Sequence, residues 1–566
     1  MSSNAQRLVG AVVAAALVAG AAFAYRRASE HASPRDVVAR FERQLESTGP
    51  RAEAVWADAT LNFGIQSVHD NDLRGSFFIP EGLGPGVGIF DLEGDGDLDI
   101  FVAAGGPLVG DRPSQLCELW VNDGGRFAER AVQLGAAVPG PAYGVNCGDV
   151  DSDGDVDVFL TRLGSDVLLI NESGRFVDRT AELGLGQTHF GTGATFLDYD
   201  QDGQLDLYVA QYLNWSAENE LECSQGGTRD YCGPMAYEAP AQDRLYRGLG
   251  GGRFEDVTES AGLDGHLGNG LGALASDFDG DGLVDIYVAN DASPAFLWRN
   301  LGDGTFEEAA LRLGCAYDGS GVAIAGMGIA CEDLNGDGDL DLLVTNIYAQ
   351  SHLGLLRRGG RFRDGSRRLN LYDWSLPATG FGLAVFDQDL DGALDLYVAN
   401  GAVNLNGARG DVPNPYAEPD HFARLVDGSF QDATEGAGAL LAGAGRGLAA
   451  GDLDGDGDLD LVVANNGGPL KVLANLADGE GAWLVVDVRT AAGSPALGAR
   501  VEARCADRAQ VREVRAQTSY LSSSDPRVHF GVGAAESIDE LTVTWPSGET
   551  RTLLDVAVDQ VLEVQP

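Results

Sequence analysis

One pattern recurs seven times along this chain, and it constrains the fold more than any other feature. The copies are DLEGDGDLDIFV from Asp91, DVDSDGDVDVFL from Asp149, DYDQDGQLDLYV from Asp198, DFDGDGLVDIYV from Asp277, DLNGDGDLDLLV from Asp333, DQDLDGALDLYV from Asp387 and DLDGDGDLDLVV from Asp452. Position five is always Asp, position six always Gly and position nine always Asp. A Gly stands five residues before each copy, at Gly86, Gly144, Gly193, Gly272, Gly328, Gly382 and Gly447. After each copy the chain turns apolar and β-prone, so each unit reads as a glycine-containing strand, an acidic loop and a second strand. Units of this kind cannot bury their faces alone and must stack into an array.

A second repeat alternates with the first. It centres on an aromatic residue followed by polar residues: Phe127, Phe176, Phe254, Phe306, Phe362 and Phe430. A seventh copy, around Trp56, precedes the first acidic loop, and none follows the last. Equal counts that are out of phase at the ends are what a ring needs if an N-terminal strand completes the final unit. Closure hides the sheet edges that an open array exposes. The expected fold is therefore all-β: a seven-bladed β-propeller over residues 51–478, closed by the Trp56 segment, with a small β-rich domain over 479–566. The long insertions, 105–116, 211–243 and 401–421, all follow a second strand, so they should crowd the face opposite the acidic loops. Variable loops on a rigid scaffold are where partners bind.

The loops offer only oxygen ligands. Alternate side chains converge, the Gly permits the sharp turn, and the Asp at position nine closes the set. Position twelve is never the Glu that ends an EF-hand loop. Oxygen donors in a flexible loop select a hard cation, Ca²⁺ over Mg²⁺. The expected ligands are Asp91, Glu93, Asp95 and Asp99; Asp149, Asp151, Asp153 and Asp157; Asp198, Asp200, Asp202 and Asp206; Asp277, Asp279, Asp281 and Asp285; Asp333, Asn335, Asp337 and Asp341; Asp387, Asp389, Asp391 and Asp395; and Asp452, Asp454, Asp456 and Asp460. Up to seven Ca²⁺ ions are expected, with weaker sites at the Glu93 and Asn335 loops. Turns alone favour Asp and Gly, but not carboxylates at four fixed positions, which would repel one another without a cation. The chain carries 86 acidic against 38 basic residues, a formal charge of -48. That charge excludes nucleic acid and anionic lipid as partners.

These loops resemble the FG-GAP or VCBS repeat of integrin α-subunit propellers. GAWLVVDVRT, ALGARVEARC, SYLSSSDPRVHFGVG and LTVTWPSGETRTL resemble the ASPIC/UnbV domain. The whole arrangement is similar to the cartilage acidic protein-like family of secreted proteins. The resemblance implies a calcium-binding extracellular module without an assigned reaction, and it implies that the loop residues named above are the calcium ligands.

Residues 1–24 hold an apolar run after Arg7 that ends in Ala22-Phe23-Ala24, and read as a cleaved signal peptide or an uncleaved membrane anchor. Residues 25–50 read as a short helical linker. Of seven cysteines, Cys223 and Cys232, Cys315 and Cys331, and Cys117 and Cys147 form three local pairs, with Cys505 left over. Pairing of Cys223 with Cys232 and of Cys315 with Cys331 is expected, as suits an oxidising compartment. The seven histidines show no metal or triad spacing. Arg409-Gly410-Asp411 is a tripeptide that chance supplies, and Ser522, Ser523, Ser524 and Asp525 read as a loop cap. Trp215, Tyr231 and Tyr237 in the second long insertion suit packing or stacking on a sugar. The function expected is an extracytoplasmic binding, adhesion or scaffold module with a protein or glycan ligand. The alternative is a carbohydrate-active lyase or hydrolase on the insert face, for which Asp230, Glu238, Asp243, Asp411 and Glu418 are the available acids. The sequence does not set the oligomeric state.

Overall fold

The computed structural model describes residues 55–566 except 186–187, 226, 406–413, 439–441, 477–480 and 507. The N-terminal run, the 25–50 linker and Arg409-Gly410-Asp411 lie outside the described residues. Within them, no helix is long and apolar enough to cross a membrane.

A four-stranded antiparallel meander recurs seven times. Its first strand is the glycine-containing one, the acidic loop leads to the second, and the recurring aromatic lies at the start of the fourth. In the first blade these are Val87–Phe90, Asp99–Val102, Glu118–Asn122 and Phe127–Glu129. The second strands are buried at almost every position, because both of their faces meet a neighbouring blade. The seventh blade takes Gly445–Gly451, Asp460–Asn465 and Lys471–Asn475, and its outer strand is Trp56–Asp58, with Trp56 opposite Asn475 and Asp58 opposite Leu473. Trp56 is buried against Phe386, Tyr397 and Phe422 of the sixth blade. The lone lysine, Lys471, ion-pairs with Asp58 at 2.6 Å.

The first strands pack one against the next around the ring, and Gly445–Gly451 packs against Val87–Phe90. The seven spaced glycines stand at these contacts. A Cβ on any of them would fall 2.3 to 2.8 Å from a carbonyl oxygen of the following blade, for example Tyr143 O at Gly86 and Pro85 O at Gly447. The requirement is closeness of backbones, so no side chain is tolerated. A recurring Asn at the end of the third strand ties the blades together on the acidic-loop side. Nδ2 of Asn122, Asn171, Asn300 and Asn475 donates to Leu453 O, Leu92 O, Tyr199 O and Gln388 O, each on the preceding blade.

The C-terminal region forms two small sheets. In one, Ala482–Val488 lies between Val528–Gly533 and Gln560–Val564; in the other, Arg500–Cys505 and Ser537–Thr544 are central. Leu484, Val501, Phe530, Leu541 and Trp545 share their core. Residues 517–524 leave this domain and enter the middle of the ring. There the first strands carry unpaired N–H groups on their inner edges, and the segment satisfies them. Val87 N donates to Ser522 Oγ, Val145 N to Leu521 O, Phe196 N to Gln517 Oε1, Ile329 N to Ser519 O, Leu383 N to Ser519 Oγ and Ala450 N to Ser524 Oγ. Six of the seven blades are thereby bonded to one loop. The serines expected to cap a loop are the donors and acceptors of this plug, and Tyr520 at its tip is fully buried.

The cysteine expectation needs correction. Cys223 and Cys232 form a disulfide, but Cys315 and Cys331 are free, as are Cys117 and Cys147. These four thiols are buried among apolar side chains, where Cys behaves as a small hydrophobe; the fifth free cysteine, Cys505, is half-buried. Burial pushes Cys117, Cys147 and Cys331 up to about 12 and raises Cys315 too, so none is poised to react.

Candidate metal centres in the acidic loops

Each acidic loop is built around two carboxylates that the main chain holds in place. At position one, Asp91 accepts from Gly94 N, Asp95 N and Gly96 N at 2.8 to 3.1 Å, and the same contacts recur at Asp277 and Asp333. The Asp at position nine is buried and bridges two strands. Asp157 Oδ2 accepts from Val150 N at 2.9 Å and Oδ1 from Asn171 N at 2.8 Å, and Asp99, Asp206, Asp285, Asp341, Asp395 and Asp460 repeat this pair of bonds. Positions one and nine are therefore structural whatever else they do, a role the sequence reading did not give them.

These frames bring carboxylates together in five loops. One oxygen from each of Asp149, Asp151 and Asp157 lies within 4.8 Å of the others, and the same holds for Asp198, Asp200 and Asp206, for Asp277, Asp279 and Asp285, for Asp387, Asp389 and Asp391, and for Asp452, Asp454 and Asp460. Among the described residues, the Glu93 and Asn335 loops form no such triad. In the latter, Asn335 Nδ2 donates to Asp341 Oδ2 at 2.7 Å, so an amide hydrogen replaces the third carboxylate.

Without a cation the clusters are poor homes for charge. Burial, with Asp151 and Asp149 adding repulsion, pushes Asp157 up to about 8; burial does the same at Asp206, Asp285 and Asp395. Asp151 and Asp454 rise to about 6, from burial first and their loop neighbours second. Oδ1 of Asp151 and Oδ1 of Asp200 are buried with no hydrogen-bond donor. Buried oxygens without donors, in a set that is all oxygen, fit a hard cation.

The five triads are not equivalent. In three, an arginine from the third strand faces position three. Arg247 pairs with Asp200 at 2.7 Å and Asp202 at 3.0 Å, Arg299 with Asp279 and with Asp281 at 2.8 Å, and Arg424 with Asp389 at 2.7 Å. The corresponding residues in the second and seventh blades, Ile170 and Ala474, carry no charge. The sequence reading missed these arginines; the visible signal is an Arg at one fixed strand position, before Gly248 in LYRG, Asn300 in LWRN and Leu425 in FARL. The C-terminal domain lies on this same face. Ser494 Oγ donates to Asp149 Oδ2, Arg508 Nη1 to Asp391 O, Arg500 Nη2 to Gly338 O, and His529 Nε2 meets Gly457 O at 2.9 Å.

On the opposite face the insertions converge as the topology requires. Tyr231 packs on Tyr416 and on Phe77, Trp215 packs on Phe78, and Leu405 N donates to Asp230 Oδ2. Three of the acids there hold the insertions, while Glu238 is exposed. Asp230 also accepts from Tyr231 N, Asp243 accepts from Tyr208 Oη and Gln211 N, and Glu418 accepts from Thr379 N.

The FG-GAP-like repeat family matches residues 91–160, 149–209, 277–328 and 333–398; the FG-GAP repeat family matches 444–483; the ASPIC and UnbV family matches 489–566. The chain belongs to the FG-GAP repeat proteins that carry a C-terminal ASPIC/UnbV domain. It is related to cartilage acidic protein 1. It is 29% identical over 320 residues to that protein of Xenopus tropicalis, covering 55% of this chain and 47% of the relative. Against that of Homo sapiens it is 29% identical over 328 residues, covering 55% and 46%. The chain thus spans about half the length of the curated relatives it matches. Among solved structures, an Agrocybe aegerita lectin described for specific recognition of non-reducing terminal N-acetylglucosamine aligns over 64% of this chain and 89% of its own, at 18% identity and a TM-score of 0.35. YCF48 bound to D1 peptide aligns over 75% and 98%, at 8% identity and a TM-score of 0.39. Scores this low place neither protein's ligand on this FG-GAP protein.

Proposed function

We propose that this protein is an extracytoplasmic calcium-binding propeller that acts as a binding, adhesion or scaffold module, with its ligand on the insert-bearing face. The observation that carries the calcium reading is the convergence of three carboxylate oxygens within 4.8 Å in five loops. Bound Ca²⁺ supplies the positive charge that lets those carboxylates stay ionised and together. Asp149, Asp151 and Asp157 would hold one ion and Asp452, Asp454 and Asp460 another, with the three arginine-faced loops weaker. The Cys223–Cys232 disulfide supports an oxidising compartment. A binding role is favoured over catalysis because three of the insert acids, Asp230, Asp243 and Glu418, are engaged in holding the insertions, which leaves Glu238, exposed at the surface, as one described candidate and no described pair. The test is a glycan and matrix-protein binding screen in millimolar calcium and in excess chelator. Calcium-dependent retention of a defined ligand supports the proposal; a turnover of glycan substrates without stable retention refutes it.

A further inference from the structure

The insert face carries a cavity of about 200 Å³ between the segment leading into the first blade, the insertions of the third and sixth blades and the start of the seventh. Its chemistry is unusual for a molecule this acidic. Arg446 lines it and is 1% exposed. Nε donates to Gly82 O at 2.7 Å, Nη1 to Gly401 O at 3.1 Å and Gly445 O at 2.8 Å, and Nη2 to Ala402 O at 3.3 Å. The guanidinium carbon sits 3.8 Å from the centre of the Phe381 ring. Every acceptor is a neutral carbonyl, and one of the five guanidinium N–H groups is left over. Among the described residues no carboxylate lies within ion-pair distance of it; burial pulls Arg446 down to about 10, with Tyr520, Glu418 and Tyr231 acting in the other direction from longer range. A buried charge without a counter-ion in contact is costly and favours one.

Two further features give the cavity selectivity. Asn466, 7% exposed, donates through Nδ2 to Glu81 O at 2.8 Å, and its Oδ1 is buried with no donor. Tyr231 and Tyr416, ring centres 5.8 Å apart and tilted 62° to one another, form an aromatic corner, and Leu73, 40% exposed, stands at the mouth. A ligand that completes this site brings an anionic group for Arg446, a hydroxyl to donate to Asn466 Oδ1 and a flat apolar face for the tyrosines. The volume admits one ring and excludes a drug-sized molecule. We propose that this cavity takes a single sugar-acid residue, its carboxylate toward Arg446, a ring hydroxyl on Asn466 and its apolar face on Tyr416 and Tyr231.

This inference rests on the binding-module reading and names the ligand class of that face. The full chain in millimolar calcium is titrated by calorimetry with glucuronate and galacturonate, and in parallel with glucose, galactose and acetate. The expected result is uronate binding at least tenfold tighter than any neutral sugar or acetate. Two variants carry the assignment. Leu73→Trp fills the mouth from an exposed position and leaves the core untouched, and Asn466→Leu removes the orphan acceptor. Each is expected to weaken uronate binding at least tenfold, with the melting temperature of Leu73→Trp unchanged. Equal affinity for neutral sugars, no uronate binding at all, or uronate binding unaffected by Leu73→Trp each overturns the proposal. The two readings separate on one further measurement: if a ligand found in the calcium-dependent screen binds Leu73→Trp normally and uronates do not bind, the sugar-acid site fails while the binding-module reading stands.

Discussion

Removing calcium should cost this fold stability unevenly, and the unevenness is the sharper test. An ion that binds the folded loop and not the unfolded chain adds about 2.7 kcal/mol at a hundredfold excess over its Kd. Unfolding entropy of about 2.1 cal/mol/K per residue gives a body of this size about 1 kcal/mol per degree. If only the second and seventh loops fill, where no arginine competes, excess chelator should lower the melting temperature by about 5 °C; if all five triads fill, by about 13 °C. Position three separates the loops, because positions one and nine are held by the main chain and would unfold the loop if changed. Asp151→Asn is expected to lower the melting temperature in millimolar calcium by about 2 to 3 °C. In chelator it should leave the temperature unchanged or raise it, since it removes a carboxylate that repels Asp149 and Asp153. Asp279→Asn should lose less in calcium, because Arg299 already neutralises that carboxylate. Differential scanning fluorimetry of the protein reads all of these. A chelator shift under about 2 °C would reduce the loops to turns. Equal losses for Asp151→Asn and Asp279→Asn would refute the competition by arginine.

The same logic predicts that Arg299→Met tightens calcium at the fourth loop, read as an added or stronger site in calcium titration calorimetry. Trp56→Ala should destabilise by about 3 to 5 kcal/mol in urea unfolding, because it empties a site among three aromatic rings and unseats the strand that closes the ring. Tyr520→Ala should cost a similar amount and make the C-terminal domain releasable by brief proteolysis. Alkylation followed by peptide mass spectrometry should find Cys315, Cys331, Cys117 and Cys147 unreactive until denaturation, then modified without a reductant, while Cys223 and Cys232 react only after reduction.

The repeat, the phase shift that makes Trp56 a closing strand and the sidedness of the insertions were all readable, because each follows from spacing alone. The glycines five residues before the loops were visible too, but their reason was not. It lies in the 2.3 to 2.8 Å approach of one blade's backbone to the next, which no single unit contains. The two loops without a carboxylate triad were legible as departures from the pattern at Glu93 and Asn335, whereas the split among the other five was not. It depends on Arg247, Arg299 and Arg424 reaching back from a third strand about twenty to fifty residues away, and reach across strands is a register property. The cysteine pairing failed at Cys315 and Cys331 because closeness in sequence was taken for closeness of sulfurs. The plug escaped notice because Ser519, Ser522, Ser523 and Ser524 have the composition of any polar turn. Only the unpaired inner edges of the ring turn their hydroxyls into structural bonds.

The plug also joins two faces that would otherwise be independent. The C-terminal domain stands on the acidic loops through Ser494, Arg500, Arg508 and His529, and its loop runs to the insert side, where Tyr520 Oη donates to Leu83 O at 3.3 Å. There Tyr520 packs on Phe381 with ring centres 4.9 Å apart, and Phe381 in turn carries the Arg446 guanidinium. A cation at Asp149 would act on a carboxylate that Ser494 already touches, so the charge state of that loop bears directly on how the domain is seated. The seat of the domain fixes the plug, and the plug forms the floor beneath Phe381 and Arg446. A contiguous set of packed groups therefore runs from the metal side to the cavity. It acquires functional meaning only if the loop has two arrangements that both ends bias. The hydrogen bonds from six blades to residues 517–524 argue for one arrangement, so on this geometry a bound calcium would be a structural clamp on the insert face, not a graded signal to it.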